Sequence, residues 1–244
     1  MTRQQDPAEP TPDEAPGDPS ADAPDRTPGE PVVGVGPHPR PWPDDPRLDP
    51  ELLEHGDRRN VVDDYRYWTL EAIVADLDTR RAPLRIAIQN WEHDFNIGSM
   101  VRTANAFNVA GVHIVGRRRW NRRGAMVTDR YLHVEHHPDV DDFVHRMTDL
   151  GHVIIGIDNL PGSVPLETAD LPERACLVFG SEGPGLTEEM LAACERLVAI
   201  TQYGSTRSIN AGAAAAIAMY AWRQCHPGRG GARHPGRGGA RHPG

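Results

Sequence analysis

Lysine is absent from this sequence: all 26 cationic residues are arginine. Positive charge is therefore carried only by planar guanidinium groups, the better fork for phosphate oxygens. Cysteine is scarce. Cys176, Cys194 and Cys225 are odd in number and widely spaced, which argues against a disulfide frame and for reduced thiols in a cytoplasm. No apolar run approaches the length needed to span a bilayer; the longest, near the C-terminal end, is a helix packed against protein. No cationic start with an apolar core and cleavage site is present, so no signal peptide is expected. Neither G-x-G-x-x-G nor a Walker A sequence occurs, which makes a dinucleotide or ATP site an unlikely use of the fold. Only Gly34-Val35-Gly36 hints at a glycine loop, and it lies in a proline-rich segment where it carries no weight.

What is present is unevenly distributed. Residues 1–50 hold 14 of the 23 prolines and 11 acidic residues against four arginines. With so few aromatic or branched side chains they cannot offset chain entropy, and a disordered acidic tail is expected. The other end, 226–244, repeats HPGRGGAR and reads as a second disordered, cationic tail. Of the formal charge of −9, the first 50 residues carry 4 − 11 = −7. The remainder is near neutral with local basic patches, so the acidic balance does not exclude nucleic acid.

Between the tails the pattern changes. In residues 51–83, Trp68, Leu70, Ile73, Val74 and Leu77 have helical spacing and predict a short amphipathic helix docked on the domain. From 84 to 225 strands alternate with helices. Strands are expected at 84–90, 112–116, 152–158, 175–180 and 196–200, and helices at 96–109, 141–150, 186–195 and 209–223. Apolar strands alternating with helices imply an α/β fold, a parallel sheet covered by helices on both faces.

Three segments carry candidate chemistry. Ile200 to Trp222 joins a polar loop to an alanine-rich helix, so side chains and amides enter a dry place; the plainer role is a core helix capped by Ser208 or Asn210. Asn96-Ile97-Gly98-Ser99-Met100-Val101-Arg102 opens the first helix of the domain. Taken alone, Asn96 reads as an N-cap, Gly98 as close packing and Arg102 as a surface ion pair. Gly180-Ser181-Glu182-Gly183-Pro184-Gly185 follows an apolar strand at the carboxyl edge of the sheet, where ligands of open α/β sheets bind. Its glycines let backbone groups face a ligand closely; a tight turn is the alternative.

A fourth segment, Arg117, Arg118, Arg119, Trp120, Asn121, Arg122 and Arg123, sets five arginines around an aromatic ring, the combination that RNA phosphates and bases need. A solvated basic loop is the competing reading. His133, Glu135, His136 and His137 resemble a metal cluster, but strand alternation points His136 away from the others, and no metal is expected.

The first three segments, in this order and setting, resemble the three motifs of the SpoU/TrmH family of knotted RNA methyltransferases over roughly Leu84 to Trp222. The resemblance implies a SPOUT-type deep trefoil knot, a homodimer formed through the third-motif helix, and S-adenosyl-L-methionine as cofactor. It implies ribose 2′-O-methylation of structured RNA, with transfer RNA favoured slightly over ribosomal RNA. It assigns catalysis to Arg102, with Asn96 holding the loop and Arg102 in place. Glu182 braces the glycine loop, and Ser208 and Asn210 orient the hydroxyl. Gly180, Ile200, Gln202, Gly204 and Ile209 fall at cofactor-binding positions. The chain departs from the family pattern at Thr201 and Gln202, and in having Ala-Gly after Asn210. Two other readings remain open: a catalytically silent RNA-binding protein with the same core, and a nucleotide-binding α/β protein unrelated to RNA.

Overall fold

The computed structural model describes residues 34–91, 96–181 and 183–228. Seven strands form one sheet: β1 (Ala82–Asn90), β2 (Val109–Gly116), β3 (Val134–His137), β4 (Val153–Ile157), β5 (Val164–Pro165), β6 (Ala175–Phe179) and β7 (Arg196–Ala199). Their order is β3-β2-β1-β6-β4-β7-β5, and every pair is parallel. The central strands have no wet side: β6 is buried at all five positions. Alternation along β1 therefore sends Ile86 and Ile88 into one core and Ala87 into the other.

Among the described residues six α-helices complete the fold. They are α1 (Pro50–His55), α2 (Leu70–Asp78), α3 (Ile97–Ala106), α4 (Val140–Asp149), α5 (Glu188–Ala193) and α6 (Ala211–Cys225). One face of the sheet is covered by α3 and α6, whose Met100, Val101, Met219 and Trp222 share a core. The other is covered by α4 and α5, through Phe143, Met147 and Met190. Going out from β1 the chain fills one side of the sheet first, crosses to place β4 on the other side, and later inserts β6 between β4 and β1. Such a switch point leaves a crevice at the carboxyl ends of the strands.

The amphipathic helix expected before the domain is α2, which Thr69 caps through a 3.1 Å bond from Ala72 N–H. Its Ile73 packs with Tyr65 and Tyr131. The expectation of a tail reaching to residue 50 is corrected: order is present from residue 34. Val35 and Asp57 exchange two backbone hydrogen bonds of 2.9 Å. His38 N–H donates to Leu53, Asp49 N–H to Tyr67 and Thr69 N–H to Arg47. Proline-rich composition masked this, because the segment is held by backbone hydrogen bonds and by Arg47 stacked 4.2 Å over Trp68. It has no apolar face of its own. At the other end His226 still belongs to the domain, its Nε2 donating to the Leu171 carbonyl (2.8 Å) and its ring packing on Trp222. Residues 1–33 and 229–244, where the remaining tail expectations fall, lie outside the described residues. Among the described residues no helix is long and apolar enough to cross a membrane.

Candidate active site

Two buried amides at the end of β1 set the crevice. Gln89 grips the start of α5: its Nε2 donates to Thr187 Oγ1 (3.0 Å) and its Oε1 accepts from Thr187 N–H (3.0 Å). Its backbone carbonyl also receives Ser181 Oγ at 3.1 Å, which ties the glycine loop to β1. Asn90 turns the other way. Its Nδ2 donates to the carbonyls of Arg117 (2.7 Å) and Arg119 (2.9 Å), pinning the arginine loop. A buried polar group must find partners, and here the partners are the two loops a ligand would meet.

The glycine loop is closed by a reciprocal pair, Ser181 N–H to Gly185 at 3.2 Å and Gly185 N–H to Ser181 at 3.0 Å. The turn needs glycine twice, since Gly183 has φ 92° and Gly185 φ 73°. Asp158, at the end of β4, completes the brace by accepting from Leu186 N–H at 3.3 Å.

Beneath this loop lies a cavity of about 400 Å³, within the range of small-ligand sites. Ile157, Phe179, Ile200, Ile209 and Ala214 give it an apolar wall. Asp158, Asn159, Gln202, Ser208 and Asn210 supply polar groups, and Gly180, Ser181, Gly183 and Gly185 supply backbone. Gln202 Oε1 is buried without a hydrogen-bond partner, an acceptor that a ligand's N–H or O–H would satisfy.

The first and third motifs meet at one bond. Asn210 caps α6 by accepting from Ala213 N–H (3.2 Å), and its Nδ2 donates to Asn96 Oδ1 at 2.9 Å. The capping role and the site role expected of Asn210 are thus one geometry. Asn96 makes no side-chain cap of its own on α3; its side chain serves the junction instead. Gly212 explains the unusual Ala-Gly that follows: a Cβ there would lie 2.6 Å from Ser99 Oγ and would turn that hydroxyl away from the Asn96 carbonyl to which it donates. Arg102 shares a helix face with Ser99 one turn earlier. It is exposed, and no ion pair to it forms among the described residues.

Other site expectations fare differently. Gly180, Ile200, Gln202 and Ile209 are on the cavity wall. Gly204 is not: it is exposed, with no atom within 4 Å of where a Cβ would be, and it shapes the crown of the loop instead. Glu182 lies outside the described residues. Arg117, Arg118, Arg119, Arg122 and Arg123 are exposed as expected. Trp120 is not a free stacking ring, since it is half-buried against the core with the Arg122 guanidinium 5.5 Å from its centre. Gly98 and Gly124 stand backbone to backbone, a Cβ on Gly98 falling 2.8 Å from Gly124 Cα. That contact fastens the arginine loop to the helix that carries Arg102. Asp158, Asn159, Gln89 and Asn90 went unread, because their positions at strand ends become meaningful only once the strand order is known.

Of the histidine group only His137 enters a buried hydrogen-bond chain, with His113 of the neighbouring strand, whereas His133 bonds Asp78 and His136 the Gly116 carbonyl, each at 2.8 Å. Arg85 Nη1 lies 3.0 Å from His113 Nε2, His113 Nδ1 2.9 Å from His137 Nε2, and His137 Nδ1 2.7 Å from Asp142. Because Arg85 can only donate, His113 accepts there and donates onward, and both nitrogens of each ring are used. Glu135, although near both rings, is held by Arg146 at 2.7 Å. A metal entering between the rings would force His113 to present an N–H to the guanidinium. Burial holds His113 at a pKa of about 3, with Arg85 and His137 adding to the effect against Glu135.

Residues 83–220 match the SpoU rRNA Methylase family, more than half of the chain. The chain belongs to the SpoU methylase family. It is 32% identical over 168 residues to an uncharacterised tRNA/rRNA methyltransferase of Synechocystis sp., covering 64% of this chain and 42% of that protein. It is 26% identical over 156 residues to the tRNA (guanosine(18)-2′-O)-methyltransferase of Escherichia coli, covering 62% and 68%. The SpoU methyltransferase AviRb of Streptomyces viridochromogenes, solved in complex with AdoMet, superposes with a TM-score of 0.52 at 27% identity, covering 62% and 60%. This SpoU chain thus spans less than half the length of the Synechocystis relative.

Proposed function

We propose that this SpoU-family chain is an RNA methyltransferase that uses S-adenosyl-L-methionine and methylates a ribose 2′-hydroxyl, in transfer RNA rather than ribosomal RNA. The single observation that carries the reading is the Asn96–Asn210 bond. It places the start of Arg102's helix beside a nucleoside-sized cavity whose wall is built from the second and third motifs. The residues present fit the cofactor. The apolar wall suits a purine, Asp158 and Asn159 suit hydroxyl or amino groups, and Gln202 Oε1 is an acceptor in want of a donor. When bound, the cofactor supplies a methyl group already activated on a sulfonium.

The protein's task is then alignment and management of one proton. Arg102, the arginine of the first motif, is the residue we assign to the hydroxyl. A guanidinium stays protonated at ordinary pH, so its role is to stabilise the developing alkoxide, with the proton leaving to water or an RNA phosphate. Ser208 and Asn210 hold the loop, and the arginine loop, fastened by Asn90 and the Gly98–Gly124 contact, binds RNA phosphates. The choice of transfer RNA rests on the Escherichia coli relative's substrate.

The same proposal includes a trefoil knot in the C-terminal part, a cytoplasmic location and a homodimer. For the dimer the supporting surface is the stripe of Ala213, Ile217 and Tyr220 on α6, where Ile217 is 43% and Tyr220 58% exposed. Met219 and Trp222 of the same helix are buried within the subunit, with Trp222 Nε1 donating to Pro172 at 2.9 Å.

The test is methyl transfer to total RNA from a strain lacking the protein, with ribose methylation mapped by nucleotide. Arg102→Ala should lower turnover at least about 100-fold, the scale of one lost electrostatic contact in the transition state, while cofactor affinity stays within a few-fold. Arg102→Lys should rescue poorly, since a point charge does not replace the fork. Full turnover in Arg102→Ala would remove Arg102 from catalysis, and no ribose methylation by the wild type would overturn the function.

A further inference from the structure

The loop between β7 and α6 has two limbs and a crown. Gln202 on one limb and Ser208, Ile209 and Asn210 on the other are in the cavity wall. The limbs are laced together. The Arg207 carbonyl accepts from Gln202 Nε2 at 3.4 Å and from Asn159 Nδ2 at 3.5 Å, and Thr206 Oγ1 donates to the Ser208 carbonyl at 2.8 Å. The crown, residues 203–207, is exposed throughout.

Tyr203 stands out on it. Its exposure is 92%, against 58% for Tyr220, the next most exposed large apolar residue described. Its Cα lies one peptide from that of Gln202, about 3.8 Å, so the ring rises from the rim of the cavity. A lone ring is too little surface for a protein interface, whose energetic centre is a packed and desolvated cluster. Its neighbours are Gly204, two hydroxyl residues and the exposed Arg207. An open aromatic face beside a guanidinium and hydroxyls is the composition that takes an unpaired nucleotide, with the base on the ring and the phosphate on the cation. The half-burial of Trp120 leaves the arginine loop without such a face.

We propose that Tyr203 is the stacking platform for the base of the nucleotide whose ribose is methylated, with Arg207 on its phosphate. This rests on the RNA-methylation reading above. The reading gives it a physical reason: a methyl group delivered from within the cavity is reached by a ribose only if its base leaves the RNA stack. A ring at the rim offsets that unstacking. Tyr203 is a positioning residue and leaves the chemistry to others.

The experiment compares full-length wild type, Tyr203→Ala, Tyr203→Phe, Tyr203→Trp and Arg207→Ala on the total tRNA of a strain lacking the protein. Methyl transfer gives kcat and KM for RNA, filter retention gives RNA affinity without chemistry, and calorimetry gives cofactor affinity. Tyr203→Ala should raise KM and weaken RNA retention roughly 5- to 100-fold, the effect of one lost base stack. Tyr203→Phe should stay within about twofold and Tyr203→Trp should bind at least as well, because the ring face and not the hydroxyl does the work. Arg207→Ala should reduce affinity and flatten its salt dependence by about one phosphate contact.

Unchanged RNA retention in Tyr203→Ala would overturn the proposal. So would a Tyr203→Phe defect as large as the alanine one, which would assign the hydroxyl. Loss of cofactor affinity or of a dimer in sedimentation would assign the ring to the fold or to a second copy, and would equally overturn it. If the wild type retains tRNA through Tyr203 yet methylates no ribose, the functional reading fails, and of the inference only the base stack on Tyr203 stands.

Discussion

Gly180→Ala separates a packing requirement from a ligand requirement at the second motif. Gly180 does not have a positive φ, so conformational freedom is not the reason for glycine here. A Cβ on it would lie 2.1 Å from Gly185 C and 2.4 Å from both Gly185 O and Leu186 N. All three are backbone atoms, so no side chain can swing aside, and the loop must move by more than 1 Å to restore ordinary contact. That movement breaks the Ser181–Gly185 pair, about 1–3 kcal/mol for two hydrogen bonds, and adds strain of about 1–3 kcal/mol for overpacking. A total of about 2–6 kcal/mol corresponds to a fall in melting temperature of roughly 4–24 °C for a domain of this size. Cofactor affinity should fall at least about tenfold as well, because the displaced loop is the cavity wall. Gly183→Ala is the control. Its Cβ meets nothing within 4 Å, so only its φ of 92° is strained, at about 1–2 kcal/mol. Scanning calorimetry and cofactor titration read both quantities. Gly180→Ala with an unchanged melting temperature and intact cofactor binding would refute the clash. Lost binding at an unchanged melting temperature would mean that the Cβ occupies ligand space instead.

Three further outcomes follow from the structure. His113 is held at about 3 in the fold against about 6.5 in the unfolded chain. Below pH 6.5 the unfolded chain therefore binds the extra proton, and stability should fall by up to about 1.4 kcal/mol per pH unit as pH drops toward 5. His152, also lowered by burial, acts with the same sign. Urea titrations flat between pH 7 and 5 would contradict this, and His113→Gln should shallow the slope. Deleting residues 1–50 removes the backbone bonds of Val35, His38, Arg47 and Asp49 to the 53–69 segment and should lower the melting temperature by roughly 5–15 °C at about 1 kcal/mol per bond. Deleting 1–33 should not, and equal melting temperatures for the two truncations would show that residues 34–50 contribute nothing. Ile217→Arg with Tyr220→Glu should give monomers in sedimentation at micromolar concentration, since charges on an apolar contact face are costly to bury. A persistent dimer would place the interface elsewhere.

The sheet was legible because its strands are buried on both faces and so read as continuous apolar runs; β6 was found to within one residue. The strands missed, β3 and β5, are edge strands. Val164 of β5 is exposed, and β3 mixes histidines and a glutamate whose burial comes only from His113 and α4. The ordered segment 34–49 was hidden for a related reason. Its partners are backbone groups of residues 53–69, and composition reports side chains alone. What local pattern cannot carry is any contact whose two ends lie far apart in the chain.

The site divides along the same line. Asn96, Gly180, Ile209 and Asn210 were legible through motif spacing, yet spacing could not say that Asn96 and Asn210, 114 residues apart, touch. Nor could it assign Gly212, whose cost as a helical glycine is about 1 kcal/mol until Ser99 is known to stand 2.6 Å from the absent Cβ. Gln89 and Asn90 look like two polar residues ending an apolar strand. Only the strand order shows that the side chain of one grips the start of α5, beside the glycine loop, and that of the other the arginine loop. The residues that bind were therefore readable as types, whereas the residues that bring the binding loops to one place had to be seen. Since the second group fixes the geometry on which Arg102 depends, Gln89→Leu or Asn90→Leu should impair the site without touching any ligand.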